Sequence, residues 1–196
     1  SKVEVSFLIN KVATLLGIFL VLIALLGVFG APWLIYISAP GFIADPEKFN
    51  LTVNLLQITF PYIFFISLVS MAGGILNTYG KFIVPAFTPV WLNISFIVSA
   101  LYFSDFFEEP IKVLAWAVFF GGALQLFFQI PFLKQIGCLP KFNLDLKDKG
   151  VWRILKLMGP AILGVSIMQI SLLINTIFAS FLAAGSVSWL YYADRL

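Results

Sequence analysis

The chain has 196 residues, of which 61% are hydrophobic and 11% charged, with a net charge of +3. Soluble domains carry about 25% charged and about 45–50% apolar residues, so a soluble globular fold is excluded. The basic residues gather at the ends of apolar runs, which points to membrane topology rather than nucleic acid, and a single cysteine with no histidine excludes an internal disulfide and the usual metal and acid–base centres.

A run of about 20 apolar residues crosses a bilayer, and the chain contains several. The first predicted span runs from about Lys11 to Ile37 with no charge inside it. The second runs from about Leu51 to Thr78 and contains Pro61. The third, from about Ile83 to Phe103, contains Pro85 and Pro89, and the fourth, from about Val113 to Leu133, has Pro131 near its end. The fifth runs from about Ile154 to Ala184, with a kink expected at Gly159-Pro160, and a sixth opens near Val187. Proline is tolerated inside such helices because neighbouring groups re-satisfy the carbonyl it frees. The fold class is therefore an all-α integral membrane helix bundle. Ser1-Lys2-Val3-Glu4 does not read as a natural start, and Asp194-Arg195-Leu196 lacks a helix terminator, so an internal piece of a longer protein is expected.

The connections alternate in charge. The start carries Lys2 and Lys11 against Glu4, and the second–third connection carries Lys81. The first–second connection holds Asp45, Glu47 and Lys48, and the third–fourth holds Asp105, Glu108, Glu109 and Lys112. The fourth–fifth loop is the most basic: Lys134, Lys141, Lys147, Lys149, Arg153 and Lys156 against Asp145 and Asp148. The fifth–sixth turn has no charge. Basic-rich connections lie on the cytoplasmic side, so the start, the second–third turn and the fourth–fifth loop are expected there. Lys149, Arg153 and Lys156 share one helical face. That face suits lipid headgroups, or else capture of an anionic substrate.

Small residues at fourth-residue spacing, Ala117 with Gly121 and Ser180 with Ala184, predict close helix contacts, and Gly73 and Gly74 lie within the second span. The fifth span has two polar stripes: Ser166, Gln169, Thr176 and Ser180 on one side, Ser171 and Asn175 on the other. One could line a cavity while the other pairs with a helix.

The sixth span carries the ionisable groups. Counting from Gly185, Arg195 lies ten residues in, about 15 Å at ~1.5 Å per residue, near mid-bilayer. A charge at that depth faces a polar cavity or a partner. Ser188, Tyr191, Tyr192 and Arg195 fall within an arc of about 100°, forming a polar stripe that ends in a guanidinium. Asp194 points about 100° away and is not automatically its partner. The planar guanidinium fork suits phosphate, while a buried ion pair with an acid on another helix is the structural alternative. No phosphate loop, nucleophile elbow or metal cluster is present, so no cofactor and no catalysis are expected.

Several segments together resemble one family. They are Thr59–Leu68 (TFPYIFFISL), Gly74–Thr78, Pro85–Pro89, Leu92–Ser95, Leu114–Val118 and Gly121–Gln125. The longest follow: Met158–Ser166 (MGPAILGVS), Ile174–Leu182 and Gly185–Arg195 (GSVSWLYYADR). They resemble the bacterial lipid II flippase family (MurJ, also called MviN), which is similar in fold to multidrug-exporter-like transporters with two lobes around a central cavity. The resemblance implies movement of the undecaprenyl-pyrophosphate-linked peptidoglycan precursor from the cytoplasmic to the external leaflet of the inner membrane. It implies that the six spans correspond to the family's third to eighth helices. Residues 1–140 would then belong to the first lobe, 141–153 to a cytoplasmic linker and 154–196 to the start of the second lobe. Arg195 matches a cavity arginine of the family and Ser188 a cavity-facing serine, with Tyr191 and Tyr192 lining the path. Asp194, Ser166, Gln169 and Thr176 are further candidates for the cavity wall. The family's other cavity arginines lie in helices outside this sequence. Lipid II and membrane lipids are the implied partners, with no nucleic acid, and the oligomeric state is open. Rival readings are a cation-coupled drug exporter, which would need a membrane-embedded carboxylate that the first five spans lack, and a non-transporting scaffold for wall synthesis, which would need a larger loop.

Overall fold

The computed structural model describes residues 2–145, 148–182 and 185–193. Five of its helical stretches are long and apolar enough to cross a membrane: Glu4–Phe29, Pro46–Thr78, Ile83–Tyr102, Ile111–Gln135 and Gly150–Ser180. These are the five complete spans expected from the apolar runs. Prolines divide three of them. The first is α1 (Lys2–Phe29) followed by α2 (Ala31–Ser38), the second α3 (Pro46–Thr59) and α4 (Tyr62–Thr78), the third α5 (Ile83–Phe87) and α6 (Pro89–Tyr102). The fourth is α7 (Ile111–Gln135) and the fifth α8 (Lys149–Ser180), both with an internal proline, and α9 (Ser186–Ala193) opens the sixth.

Three helix starts differ from expectation, that of α3 lying at Pro46 rather than near Leu51. α1 begins at Lys2 rather than near Lys11, and α8 begins at Lys149 rather than near Ile154. The extension of α1 has distant partners and that of α8 a local cap. Lys11 lies inside α1 because its ammonium is met by Asp145 at 2.8 Å and Asp148 at 2.6 Å. Asp148 also starts α8: its Oδ1 accepts the N–H groups of Gly150 (2.7 Å) and Val151 (3.3 Å), two donors that a helix start leaves unpaired.

The chain divides into two compact units, one of Ser1–Val28 with Leu55–Val151 and the other of Phe29–Asn54 with Trp152–Leu196. In the first, α7 packs against α4 and α6. The small residues of α7 make this approach possible. A Cβ on Gly121 would meet Leu92 Cα at 3.2 Å and Ser95 Cβ at 3.3 Å, and the Ser95 hydroxyl donates to the Ala117 carbonyl at 2.7 Å. The close contact predicted at Ala117 and Gly121 is thus present. Ala72, Leu76, Val84 and Leu133 form an apolar cluster with Phe128 and Phe132 against it. In the second unit, the turn Pro40–Ala44 rests on the end of α8. The Gly41 N–H donates to Ser180 Oγ at 3.1 Å, and a Cβ at Gly41 would collide with the Ser180 carbonyl.

One proline break is repaired by a neighbour. Pro32 has no N–H for the carbonyl four residues back, that of Val28. Gln57 Nε2, from the second span, donates to that oxygen at 3.2 Å. At the break between α5 and α6, Gln129 Nε2 donates to Thr88 Oγ1 at 2.8 Å, and Gln125 Nε2 reaches the Thr88 carbonyl at 3.4 Å. In hydrocarbon an unpaired backbone group costs several kcal/mol, which accounts for Gln57 beside Pro32, while the two buried glutamines of α7 place their amide N–H groups on Thr88.

Candidate functional site

Gly185 opens the sixth span with φ +99, a left-handed conformation that glycine adopts without a Cβ penalty. The Trp189 N–H then donates to the Gly185 carbonyl at 2.9 Å, and α9 begins. Ser188, Tyr191 and Tyr192 are all exposed on this helix, and the two tyrosine rings meet edge to face with centroids 5.8 Å apart. Asp194 and Arg195, the charged end of the predicted stripe, lie outside the described residues.

On α8, Ser166 and Thr176 are partly exposed and Gln169 is exposed. The hydroxyls of Ser166 and Thr176 donate to their own helix, to Ile162 at 2.7 Å and Leu172 at 2.8 Å. Each keeps acceptor capacity, so these two hydroxyls receive a hydrogen bond more readily than they give one, and Gln169 supplies amide donors beside them. Ser180 is separate from the other members: it is buried, and its oxygen receives Gly41. Arg153 and Lys156 are exposed on the first turns of α8.

Two polar groupings escaped the reading of the sequence. One is the seam of Tyr62, Thr88, Gln125 and Gln129; its glutamines, four residues apart inside an apolar run, were the available signal. The other is the strap formed by residues 139–145. Lys141 N–H donates to Asn10 Oδ1 at 2.8 Å and Asn143 N–H to Thr14 Oγ1 at 2.9 Å, binding the strap along α1. The Lys11 ammonium, and then the Gly150 N–H, hold the Asp148 carboxyl below its ordinary range against a smaller opposing effect of burial. An aspartate just before a helix is a sequence-level start signal; its bond to Lys11, 137 residues away, is not.

Apolar spans, a repaired proline break and polar groups gathered between helices define a multi-pass helical membrane protein. Within that class the assignment is specific: residues 1–196 match the family described as lipid II flippase MurJ. The chain belongs to this family. A relative named probable lipid II flippase MurJ from Buchnera aphidicola (subsp. Acyrthosiphon pisum) is 52% identical over 190 residues, covering 95% of this chain and 37% of the relative. Relatives from Burkholderia cenocepacia, named lipid II flippase MurJ, and Vibrio cholerae, named probable lipid II flippase MurJ, are 44% and 45% identical over 96% of this chain and 37% of their own lengths. The chain therefore spans somewhat over a third of the relatives it matches.

Proposed function

We propose that this chain is part of a lipid II flippase, carrying the undecaprenyl-pyrophosphate-linked peptidoglycan precursor from the cytoplasmic to the periplasmic leaflet of the inner membrane by alternating access. The observation that carries this reading is the family match over the whole chain, with relatives that bear the flippase name. In it, residues 1–140 complete one lobe, 141–153 link the lobes and 154–196 begin the second. Arg195 holds the pyrophosphate, because its planar fork donates paired hydrogen bonds and stays charged. Ser188, Tyr191 and Tyr192 line the approach, with Asp194, Ser166, Gln169 and Thr176 further along the wall. The exposed ring edges and hydroxyl of α9 support this role.

The test is complementation of a flippase-depleted bacterium by the full-length protein. Wild type is expected to restore growth, while Arg195→Ala and Arg195→Lys fail at normal expression. Growth with Arg195→Ala would remove the arginine from the mechanism. Failure of the wild type would overturn the flippase reading itself.

A further inference from the structure

Between α1, α4 and α7 lies a cavity of about 560 Å³, lined by apolar side chains including Val21, Leu68, Leu126 and Ile130. It is closed at both ends of α1. At one end the strap is bonded to Asn10 and Thr14. At the other, Gly27 lies so close to the Phe60 ring that a Cβ would collide with it, and Gln57 grips the Val28 carbonyl. Between these two clamps α1 stands away from its neighbours, and a Cβ at Gly17 would meet nothing within 4 Å. The α1 residues lining the gap run from Ala13 to Leu22, a rise of about 14 Å at ~1.5 Å per residue. That is about half of the ~30 Å hydrocarbon thickness, one leaflet deep. That depth matches a single acyl chain.

The closed strap end has a second recess of about 620 Å³, which shares Leu139, Lys141 and Phe142 with the first. Its polar lining is Ser6, Asn10, Asn143 and the exposed Lys141, with no acid among its lining residues. An apolar slot one leaflet deep joined to a polar recess with a lysine at the junction has the shape and charge of an amphiphile. We infer that this groove seats one acyl chain of an anionic membrane phospholipid, with its phosphate at Lys141. The inference does not depend on which substrate the protein carries.

The experiment uses the full-length protein in phosphatidylcholine vesicles carrying a minority of phosphatidylglycerol with a photoreactive group in mid-chain. Adducts mapped by mass spectrometry should concentrate on Leu68, Leu126 and Ile130 over the outward-facing Phe127. Gly17→Leu, which fills the slot without a packing clash, should lower groove adducts about tenfold (~1.4 kcal/mol) and leave Phe127 adducts unchanged. Ala13→Leu serves the same end if Gly17→Leu does not fold. Lys141→Gln should abolish preference for this probe over a phosphatidylcholine probe with the same chain. Adducts spread evenly, or unmoved by the slot-filling variants, overturn the proposal. So does a Gly17→Cys variant that forms disulfides with cysteines placed elsewhere in the full-length protein, which would make the groove a seat for protein.

Discussion

α7 and α8 have comparable apolar character, yet 39% of the most apolar stretch of α7 is buried and none of that of α8. The difference lies in the neighbours each helix has within this chain, which spans somewhat over a third of its relatives' length. α7 turns Ala115, Ala117, Gly121, Gly122, Gln125 and Gln129 inward, small groups that admit α6 and amides that bond Thr88 where α5 meets α6. α8 spends its hydroxyls on its own carbonyls and is held at its ends, by Asp148 at the start and by Gly41 on Ser180 at the finish. Hydropathy thus identifies a span, but both helices carry small and amide residues (Gly159, Gly164, Gln169 and Asn175 in α8), so the burial of each follows from which neighbours reach it.

The sharpest way to break this comparison is to enlarge a glycine in each helix. Gly121→Leu would drive a side chain into the Leu92 backbone, and should cost about 1–3 kcal/mol. Gly164, by contrast, has nothing within 4 Å of a Cβ position, so Gly164→Leu should stay within about 0.5 kcal/mol. Thermal unfolding of the detergent-solubilised protein separates the two, and equal effects would refute the difference in packing. Next in size is Gln57→Leu, which leaves the Val28 carbonyl unpaired beside Pro32 and should cost about 1–3 kcal/mol, read from the same melts.

A smaller, local effect is expected at the start of α8. Asp148→Ala removes the acceptor of the Gly150 and Val151 amides, so hydrogen exchange should quicken there, and in the strap amides of Lys141 and Asn143, while α7 is unchanged. Asp148→Asn keeps an acceptor oxygen for the cap and loses the charge facing Lys11, so it should free the strap more than the helix start. The pH dependence has a fixed sign. Because the folded Asp148 carboxyl is lowered from 3.8, its contribution is present above that value and is lost as pH falls through the lower folded one. Faster strap exchange should therefore set in only below about pH 4; onset near neutrality would show that another group controls it.

Much of the fold was legible because a bilayer restricts the choices so strongly. Charge-free runs became spans, Pro61 and Pro89 sit at helix breaks, and Ala117 with Gly121 located a real interface. What was not legible depends on residues far apart in the chain. Lys11 looked like the flank of a helix because its partners, Asp145 and Asp148, come much later. Thr88 gave no hint that Gln125 and Gln129 would support it. At the candidate site, the arc of Ser188, Tyr191 and Tyr192 follows from helical spacing, since it needs only the helix itself. What faces Arg195 does not, since it depends on chain beyond the described residues.

The Lys11–Asp148 bond also sets a clock. A ribosome adds about 5–20 residues each second, and Asp148 follows Lys11 by 137 residues. Lys11 therefore emerges about 7–27 s before its partner exists. For that interval neither Asp145 nor Asp148 can meet its charge, so the lock between the strap and α1 closes only after the fourth span has been made.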